Sequence, residues 1–301
     1  MAFPLDRATP SSLDLDPKAL DRLLETVTRH IAEGRYPGAQ IAMARRGKLA
    51  LFETIGDSRI DPARAQASED TLWLLYSNTK VVTACAVWLL VERGALSFTD
   101  RVAEHLPGFE QNGKGDITII QLLTHQGGFP NAQVPKAAWA DHDLLRKTVC
   151  AFTLEWTPGS RVHYHSMAAH WTAAAMIEAL TKADYRDFIR ANVIEPLGLG
   201  NELFVGLPDA EAGRAADIHE PAADSGRQVR RADENNAEFR SAGTPGGGGY
   251  ATARAMATFY QMMAHGGAVN GVRLLSPRMV EYVTRNFTGD RVDGYMNMPM
   301  H

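Results

Sequence analysis

The sequence predicts an α/β (α+β) fold, because it combines an antiparallel hairpin with many helices, including a largely helical middle third. Two short apolar runs, 39–44 and 49–55, lie on either side of Arg46-Gly47-Lys48 and predict a hairpin. The stretch 79–92 is apolar almost all the way round, which is typical of a helix buried on most faces. Between residues 100 and 236, helical stretches alternate with loops rich in Gly, Pro and Asp. With 301 residues, 45% of them hydrophobic, the chain can bury a sizeable core.

Local signals predict the remaining elements in chain order. Asp16-Pro17 marks the start of a first helix, whose apolar residues recur at helical spacing until Gly34. Polar residues 57–70 predict a loop before the buried helix, which Gly94 ends. Residues 209–236 are charged and without clean periodicity, and they predict a loop with short helical pieces. Further helices are predicted at 168–179, 185–193, 253–263 (capped by Thr252) and 277–286, with a short apolar run at 272–275.

Composition argues against several classes of function. The formal net charge of -4 provides no broad positive field for a phosphate backbone, so no nucleic acid partner is expected. The most apolar stretch, 81–91, is too short to span a bilayer, and residues 1–16 lack the features of a secretory signal. Cys85 and Cys150 are expected to be buried free thiols, which suits a reducing, cytoplasmic compartment.

Two residues that can carry chemistry stand where the chain enters the buried helix. Ser77 and Lys80 are three apart, so they project from one face of the first turn and can touch. A desolvated lysine with a lowered pKa can accept the proton of a serine hydroxyl. The helix N-terminus favours the negative charge of an oxyanion. The alternative is a helix cap beside a surface lysine, but the apolar helix offers Lys80 no obvious wet face.

Further motifs surround this pair in a fixed order. They are Asp70-Thr71-Leu72-Trp73, Ser77-Asn78-Thr79-Lys80, Glu92-Arg93-Gly94-Ala95-Leu96, Leu106-Pro107-Gly108-Phe109, Ile117-Thr118, Leu122-Leu123-Thr124-His125-Gln126-Gly127-Gly128, Trp156-Thr157-Pro158-Gly159, Tyr164-His165-Ser166 and Pro196-Leu197-Gly198-Leu199-Gly200. In this order they resemble the serine β-lactamase-like family, over roughly residues 37–286. That family includes class C β-lactamases, penicillin-binding proteins, D-aminopeptidases, family VIII carboxylesterases and some acyltransferases.

The resemblance implies a β-lactamase/transpeptidase-like fold. In this fold an antiparallel sheet flanked by helices forms an α/β lobe at about 18–95 and 240–301, and a helical lobe lies at about 96–239. It also implies that Ser77 is the acylated nucleophile, Lys80 its proton acceptor and Tyr164 the group that shuttles the proton to the leaving group. Because a lysine cation favours a nearby phenolate, Tyr164 is expected to act as a base near neutral pH.

Two departures from the family pattern bear on activity. Ser166 stands where β-lactamases carry an asparagine that contacts the amide of the lactam side chain, and its shorter hydroxyl favours an esterase. The third family motif, Lys-Thr-Gly or His-x-Gly on a strand lining the site, does not occur before His301, and His265-Gly266-Gly267 is interpreted as a helix stop. We therefore expect the sequence to be an incomplete part of a longer chain; the other interpretation is an impaired enzyme.

The leading hypothesis is a carboxylesterase that acts through an acyl-enzyme on a small-molecule ester or amide. β-Lactamase, D-aminopeptidase and acyltransferase activities are alternatives on the same fold, and a non-catalytic binding or sensing protein is an alternative from another class. Candidate substrate contacts are Trp73, Phe129 and Trp156, which would form an apolar acyl pocket, together with Ser166 and Gly247.

Three histidines, His163, His165 and His170, invite a zinc interpretation. Their spacing matches no established ligand pattern, and no acidic or cysteine partner accompanies them. The glycine run 246–249 lacks the Gly-Lys-Ser/Thr of a phosphate loop, and it predicts a turn beside the active site. No metal and no cofactor are expected, and the sequence predicts no oligomeric state.

Overall fold

The computed structural model describes residues 4–223 and 225–300. Asp16 and Thr252 cap helices as predicted, since each accepts a backbone N–H in the first turn that follows. Ser276 does the same for the helix that begins at Pro277. The helices are α1 Pro17–Ala32, α2 Thr79–Glu92, α3 Val102–His105, α4 Ile119–Leu123, α5 His142–Ala151, α6 Ala168–Thr181, α7 Tyr185–Ile189, α8 Ala237–Ala242, α9 Ala253–Ala264 and α10 Pro277–Val283.

The strands are short apart from the first two. They are β1 Gly38–Arg45, β2 Lys48–Arg59, β3 Ala65–Gln66, β4 Trp73–Leu74, β5 Leu203–Val205, β6 His219–Pro221, β7 Gln228–Arg230, β8 Gly249–Ala251, β9 Ala268–Val269 and β10 Val272–Arg273. Internal packing divides the chain into two units. The first comprises 1–75, 194–243 and 249–274, and the second comprises 76–193, 244–248 and 275–301.

The first unit contains the predicted hairpin. Strands β1 and β2 pair antiparallel from Gly38 opposite Gly56 to Arg45 opposite Lys48, and β3 extends this sheet along the end of β2. Helix α1 packs against β2, and α9 packs against β1 and β2. A second sheet, in the order β4-β8-β5, carries a small core of Leu72, Phe204, Leu207 and Tyr250. These features confirm the predicted antiparallel sheet flanked by helices.

The second unit is built around two apolar helices. Helix α2 packs against α6 and α7, and α6 also contacts α3, α4 and α5. Both α2 and α6 are buried along most of their length, and for α2 the lack of a polar stripe predicted this. The sequence placed α2 with the sheet, in the predicted lobe 18–95, whereas packing places it with the helices. A helix that is apolar on every face is buried best where helices surround it.

Some predicted elements differ in detail from the structure. Residues 209–236 contain a short 3-10 helix, Asp209–Arg214, and an antiparallel pair, β6 and β7, that the sequence did not predict. Strands of three residues are too short for an alternating pattern to be visible. The helix predicted at 185–193 is α-helical only to Ile189 and continues as a π-helix, Arg190–Ile194. Helix α10 ends at Val283, three residues before the predicted end.

Cys85 and Cys150 are buried free thiols, as the sequence predicted. None of the helices in the described part of the chain combines the length and the apolar character that crossing a bilayer requires.

Candidate active site

Ser77 lies in a single 3-10 turn, Tyr76–Asn78, directly before helix α2. The residue before it, Tyr76, has a φ of 45°, in the left-handed region that residues with a side chain rarely adopt. Such strained conformations cluster at functional sites, where the surrounding structure maintains them. The turn leaves Ser77 exposed at the N-terminal end of α2, where backbone N–H groups and the helix dipole favour negative charge.

Lys80 is buried one helical turn further on. Its side chain is on the same face of α2 as Ser77, with Nζ 3.3 Å from Ser77 Oγ. Nζ also donates a hydrogen bond of 2.6 Å to the backbone oxygen of Gly246. Burial disfavours the charged amine and lowers the pKa of Lys80 from 10.5 to about 8. A minor fraction of the amine is therefore neutral near pH 7 and able to accept a proton, and most of it is neutral above about pH 8.

Tyr164 is a second hydrogen-bonding partner of Ser77. Its hydroxyl donates a hydrogen bond of 2.6 Å to Ser77 Oγ, and Lys80 Nζ lies 5.0 Å from the centre of its ring. Burial raises the pKa of the Tyr164 phenol, and the hydrogen bond to Ser77 only partly opposes this effect. The expectation of a phenolate near neutral pH is therefore wrong, because desolvation raises the pKa of the phenol. In this geometry the Tyr164 hydroxyl donates its hydrogen to Ser77 Oγ.

The predicted turn at 246–249 lies against the lysine. Gly246 and Gly247 are buried, and a Cβ on Gly246 would stand 3.1 Å from Met167 Sδ and 3.3 Å from Lys80 Nζ. The backbone oxygen of Pro245 accepts a hydrogen bond of 2.8 Å from Thr83 of α2. The glycine thus allows the backbone to approach the amine so closely that its carbonyl becomes the amine's hydrogen-bond partner.

The other predicted substrate contacts differ in how far they are exposed. Ser166 is exposed, two residues after Tyr164. Trp156 is half-buried, with its ring 5.4 Å from that of His163. Phe129 has no exposed surface, since its ring packs against the rings of Phe109, Phe152 and His165. It is therefore part of the core behind the site. Trp73 belongs to the first unit, on strand β4, and its role stays a prediction.

The three histidines considered for zinc serve the fold through hydrogen bonds and burial. His165 is fully buried, with Nε2 accepting the N–H of Phe129 and Nδ1 donating to the backbone oxygen of His163. Burial lowers the pKa of His165 to about 4, so the ring is neutral. His170 is also buried. Within residues 4–223 and 225–300, the groups able to hold a metal ion lie elsewhere, at Asp100-Glu104-His105 and His142-Glu178-Asp184.

The sequence did not identify two residues next to Tyr164. His125 was quoted only as part of a motif, yet its ring lies 4.7 Å from the Tyr164 ring. Asp293 is fully buried and accepts the backbone N–H of Tyr164 at 2.6 Å. For His125 the signal was its place in the motif after α4. No sequence signal points to Asp293, because its contact with Tyr164 joins residues 129 apart in sequence.

Known proteins resemble this chain in sequence and in fold. A family model described as Beta-lactamase matches residues 23–295. The Esterase/beta-lactamase LipL of Mycobacterium tuberculosis is 30% identical over 73% of this chain, and the match covers 57% of LipL. This chain thus spans little more than half the length of that relative.

Two solved structures share the fold over nearly the whole chain. A penicillin-binding protein homologue from Caulobacter crescentus is 30% identical, with a TM-score of 0.79 over 94% of this chain and 79% of that one. A family VIII carboxylesterase is 26% identical, with a TM-score of 0.81 over 95% of this chain and 79% of that one. Since the family model extends from residue 23 to residue 295 and both structures follow the same fold, this protein belongs to the Beta-lactamase family, as its motifs predicted.

Proposed function

We propose that the protein is a carboxylesterase that acts through an acyl-enzyme on Ser77. One observation carries this proposal: Ser77 Oγ lies within hydrogen-bond reach of both Lys80 Nζ and Tyr164 Oη, and the pKa of Lys80 is lowered to about 8. A nucleophile, a base and a proton donor therefore meet at one exposed hydroxyl.

The proposed reaction has two halves, acylation of Ser77 and hydrolysis of the acyl-enzyme. Neutral Lys80 accepts the Ser77 proton while Oγ attacks the ester carbonyl, and the positive end of α2 stabilises the negative charge that develops on the carbonyl oxygen. When the tetrahedral intermediate collapses, Tyr164 gives its proton to the leaving alkoxide and is reprotonated from Lys80. Water then attacks the acyl group, Lys80 takes a proton from that water, and Lys80 returns this proton to Ser77 Oγ as the acyl–oxygen bond breaks. Ser77 leaves as a free hydroxyl, with one alcohol and one acid formed.

Two features support ester rather than β-lactam substrates. Ser166 provides a short hydroxyl where β-lactamases carry an asparagine, so a lactam side-chain amide loses a hydrogen-bonding partner. One structural relative is itself described as a family VIII carboxylesterase. Another relative is described as both esterase and β-lactamase, which makes slow β-lactam hydrolysis the second candidate activity.

Pre-steady-state kinetics test the proposal. Mixing the protein with excess p-nitrophenyl acetate is expected to release p-nitrophenol in a burst of about one equivalent, because acylation precedes a slower hydrolysis of the acyl group. Acid quenching during the burst should leave the mass of one acetyl group on the peptide that contains Ser77. The hydrolysis of nitrocefin and of D-alanine amides, measured in parallel, should be slower than that of esters. Linear release with no acetylated peptide would contradict an acyl-enzyme that accumulates, whereas no release above the uncatalysed rate would favour a non-catalytic binding protein.

The pH dependence of acylation tests the role assigned to Lys80. Only the neutral amine is a base, so kcat/KM is expected to rise with pH and to reach half of its plateau at about pH 8, the lowered pKa of Lys80. Hydrolysis of a short alkyl ester followed in a pH-stat gives the profile from about pH 6 to about pH 10. A profile that is already flat below about pH 7 would show that another group accepts the proton.

A further inference from the structure

The segment that carries Tyr164 is irregular backbone, and it precedes helix α6. Three consecutive backbone N–H groups in this segment are nevertheless fixed. The N–H of His163 donates to the backbone oxygen of His125 at 3.1 Å, and that of Tyr164 donates to Asp293 Oδ1 at 2.6 Å. The N–H of His165 donates to His125 Nδ1 at 3.0 Å. Two residues therefore bind all three amides around the phenol.

His125 contacts the Tyr164 segment in three ways. Its backbone oxygen and its Nδ1 accept the two N–H groups on either side of Tyr164, and its ring packs against the Tyr164 ring at 4.7 Å. Burial lowers the pKa of His125 to about 3, so the ring is neutral and Nδ1 retains the lone pair that accepts this hydrogen bond. His125 itself has a φ of 59°, in the left-handed region, which turns the chain after α4 and aims its ring at Tyr164.

Asp293 completes the support from another part of the chain. The residue is fully buried, and its second oxygen, Oδ2, accepts the N–H of Met296 at 2.7 Å. The N–H of Gly294 donates to the backbone oxygen of Val162 at 3.0 Å, so the two segments also pair through their backbones. The carboxylate thereby ties the Tyr164 amide to the turn at 293–296.

We propose that His125 and Asp293 are positioning residues that hold the Tyr164 phenol on Ser77 Oγ. The inference rests on the proposed function, since it assigns both residues to the proton transfer that Tyr164 makes in that reaction. Neither residue touches the reacting atoms in this structure. Their effect is geometric: a displacement of about 1 Å at the phenol breaks its hydrogen bond to Ser77, and such misplacement typically costs about 10²-fold in rate.

The leaving group of the substrate separates this role from general support of the fold. An alkoxide needs a proton to depart, and Tyr164 supplies it, whereas p-nitrophenolate departs without one. A misplaced phenol should therefore slow the hydrolysis of alkyl esters far more than that of aryl esters. A weakened fold, by contrast, should reduce both activities by the same factor.

The test compares ethyl and p-nitrophenyl esters of one acid on the full chain and its variants. His125→Ala and Asp293→Ala are expected to reduce kcat/KM about 10²-fold for the ethyl ester and less than about tenfold for the aryl ester, with the loss mainly in kcat. His125→Asn is expected to restore most of the alkyl ester activity, because the asparagine oxygen can replace Nδ1 as the acceptor and asparagine tolerates the left-handed φ. His105→Asn serves as the control. His105 is a half-buried histidine at the end of α3, and its ring is hydrogen-bonded to Asp100.

The results distinguish failure of this inference from failure of the proposed function. If wild-type protein hydrolyses neither ester, both are overturned. If wild type is active and the two alanine variants lose both esters equally, or neither, the positioning role is wrong and the proposed function stands. Loss of the alkyl ester activity in His125→Asn as large as in His125→Ala would likewise overturn it. Melting temperatures identify a variant that does not fold, in which case the other alanine variant decides the question.

Discussion

Replacing Ser77 with alanine is expected to reduce kcat/KM for esters by about 10⁴- to 10⁶-fold and to eliminate the burst of p-nitrophenol. The hydroxyl is the atom to which both Tyr164 Oη and Lys80 Nζ are hydrogen-bonded, at 2.6 Å and 3.3 Å. Without it the base has no proton to accept and the acyl group has no attachment point. Stopped-flow absorbance measures the burst, and the mass of the quenched protein reports the acyl adduct.

Ser97→Ala is the matched control for this experiment. Ser97 is an exposed serine of the same unit, with its hydroxyl within 3.1 Å of Thr99 Oγ1, and it is expected to retain full activity. Ser77 is itself exposed, so the free energy of unfolding should change by no more than about 0.5 kcal/mol in its variant. An undiminished burst in a folded Ser77→Ala protein would disprove the assignment of the nucleophile.

Replacing Lys80 with methionine is expected to lower kcat by about 10²- to 10⁴-fold while stabilising the fold at neutral pH. Removing the base explains the first effect. The second follows from the pKa of Lys80, which falls from 10.5 in the unfolded chain to about 8 in the fold. At pH values below about 8 both states carry the charge, and its burial costs about 3 kcal/mol. Methionine removes that cost but leaves the Gly246 carbonyl without its donor, which costs about 1–3 kcal/mol.

The net gain in the free energy of unfolding is therefore about 1 kcal/mol near pH 7. It should shrink as the pH rises from about 8 toward 10.5, because the wild-type protein loses its proton in the fold first and so gains stability over that interval. Urea unfolding at several pH values measures this difference. A Lys80→Met protein that is less stable than wild type by the same amount at every pH would contradict the conclusion that burial of the Lys80 charge destabilises the fold.

Lys114 offers the matched control for the loss of a buried amine. It is fully buried in the same unit, and its Nζ donates to the backbone oxygens of Gln111, Cys150 and Phe152. Lys114→Met would leave three carbonyls without this donor, so it is expected to destabilise the fold and to leave the kcat of the folded protein unchanged. The opposite signs of the two stability changes would separate a catalytic lysine from a structural one.

Local sequence was sufficient for the parts of this protein that depend on short-range patterns. The hairpin β1-β2 and the helix α2 follow from apolar runs and caps, and the contact between Ser77 and Lys80 follows from their spacing of three on a helix. The family motifs then placed Tyr164 near the same hydroxyl, and the structure has it 2.6 Å away. Charge alone, however, predicted the wrong direction for the pKa of Tyr164, because the burial of its ring depends on the folded chain.

Contacts between distant segments could not be predicted from the sequence. Asp293 meets the amide of Tyr164 across 129 residues, in a stretch that carries no motif. The full burial of Phe129 likewise follows from aromatic neighbours at 109 and 152 rather than from its position beside a motif. Such residues are determined by packing, and no periodicity in the chain records them.

The close approach of Gly246 to the lysine determines the orientation of the neutral amine. An uncharged NH₂ group has two hydrogens and one non-bonded electron pair, and the Gly246 carbonyl, 2.6 Å away, accepts one of those hydrogens. Rotation about the last carbon–nitrogen bond is thereby restricted, and the electron pair can be directed at the serine. In the proposed reaction the main chain would thus orient the amine before a substrate arrives, through a residue whose missing side chain leaves the necessary space.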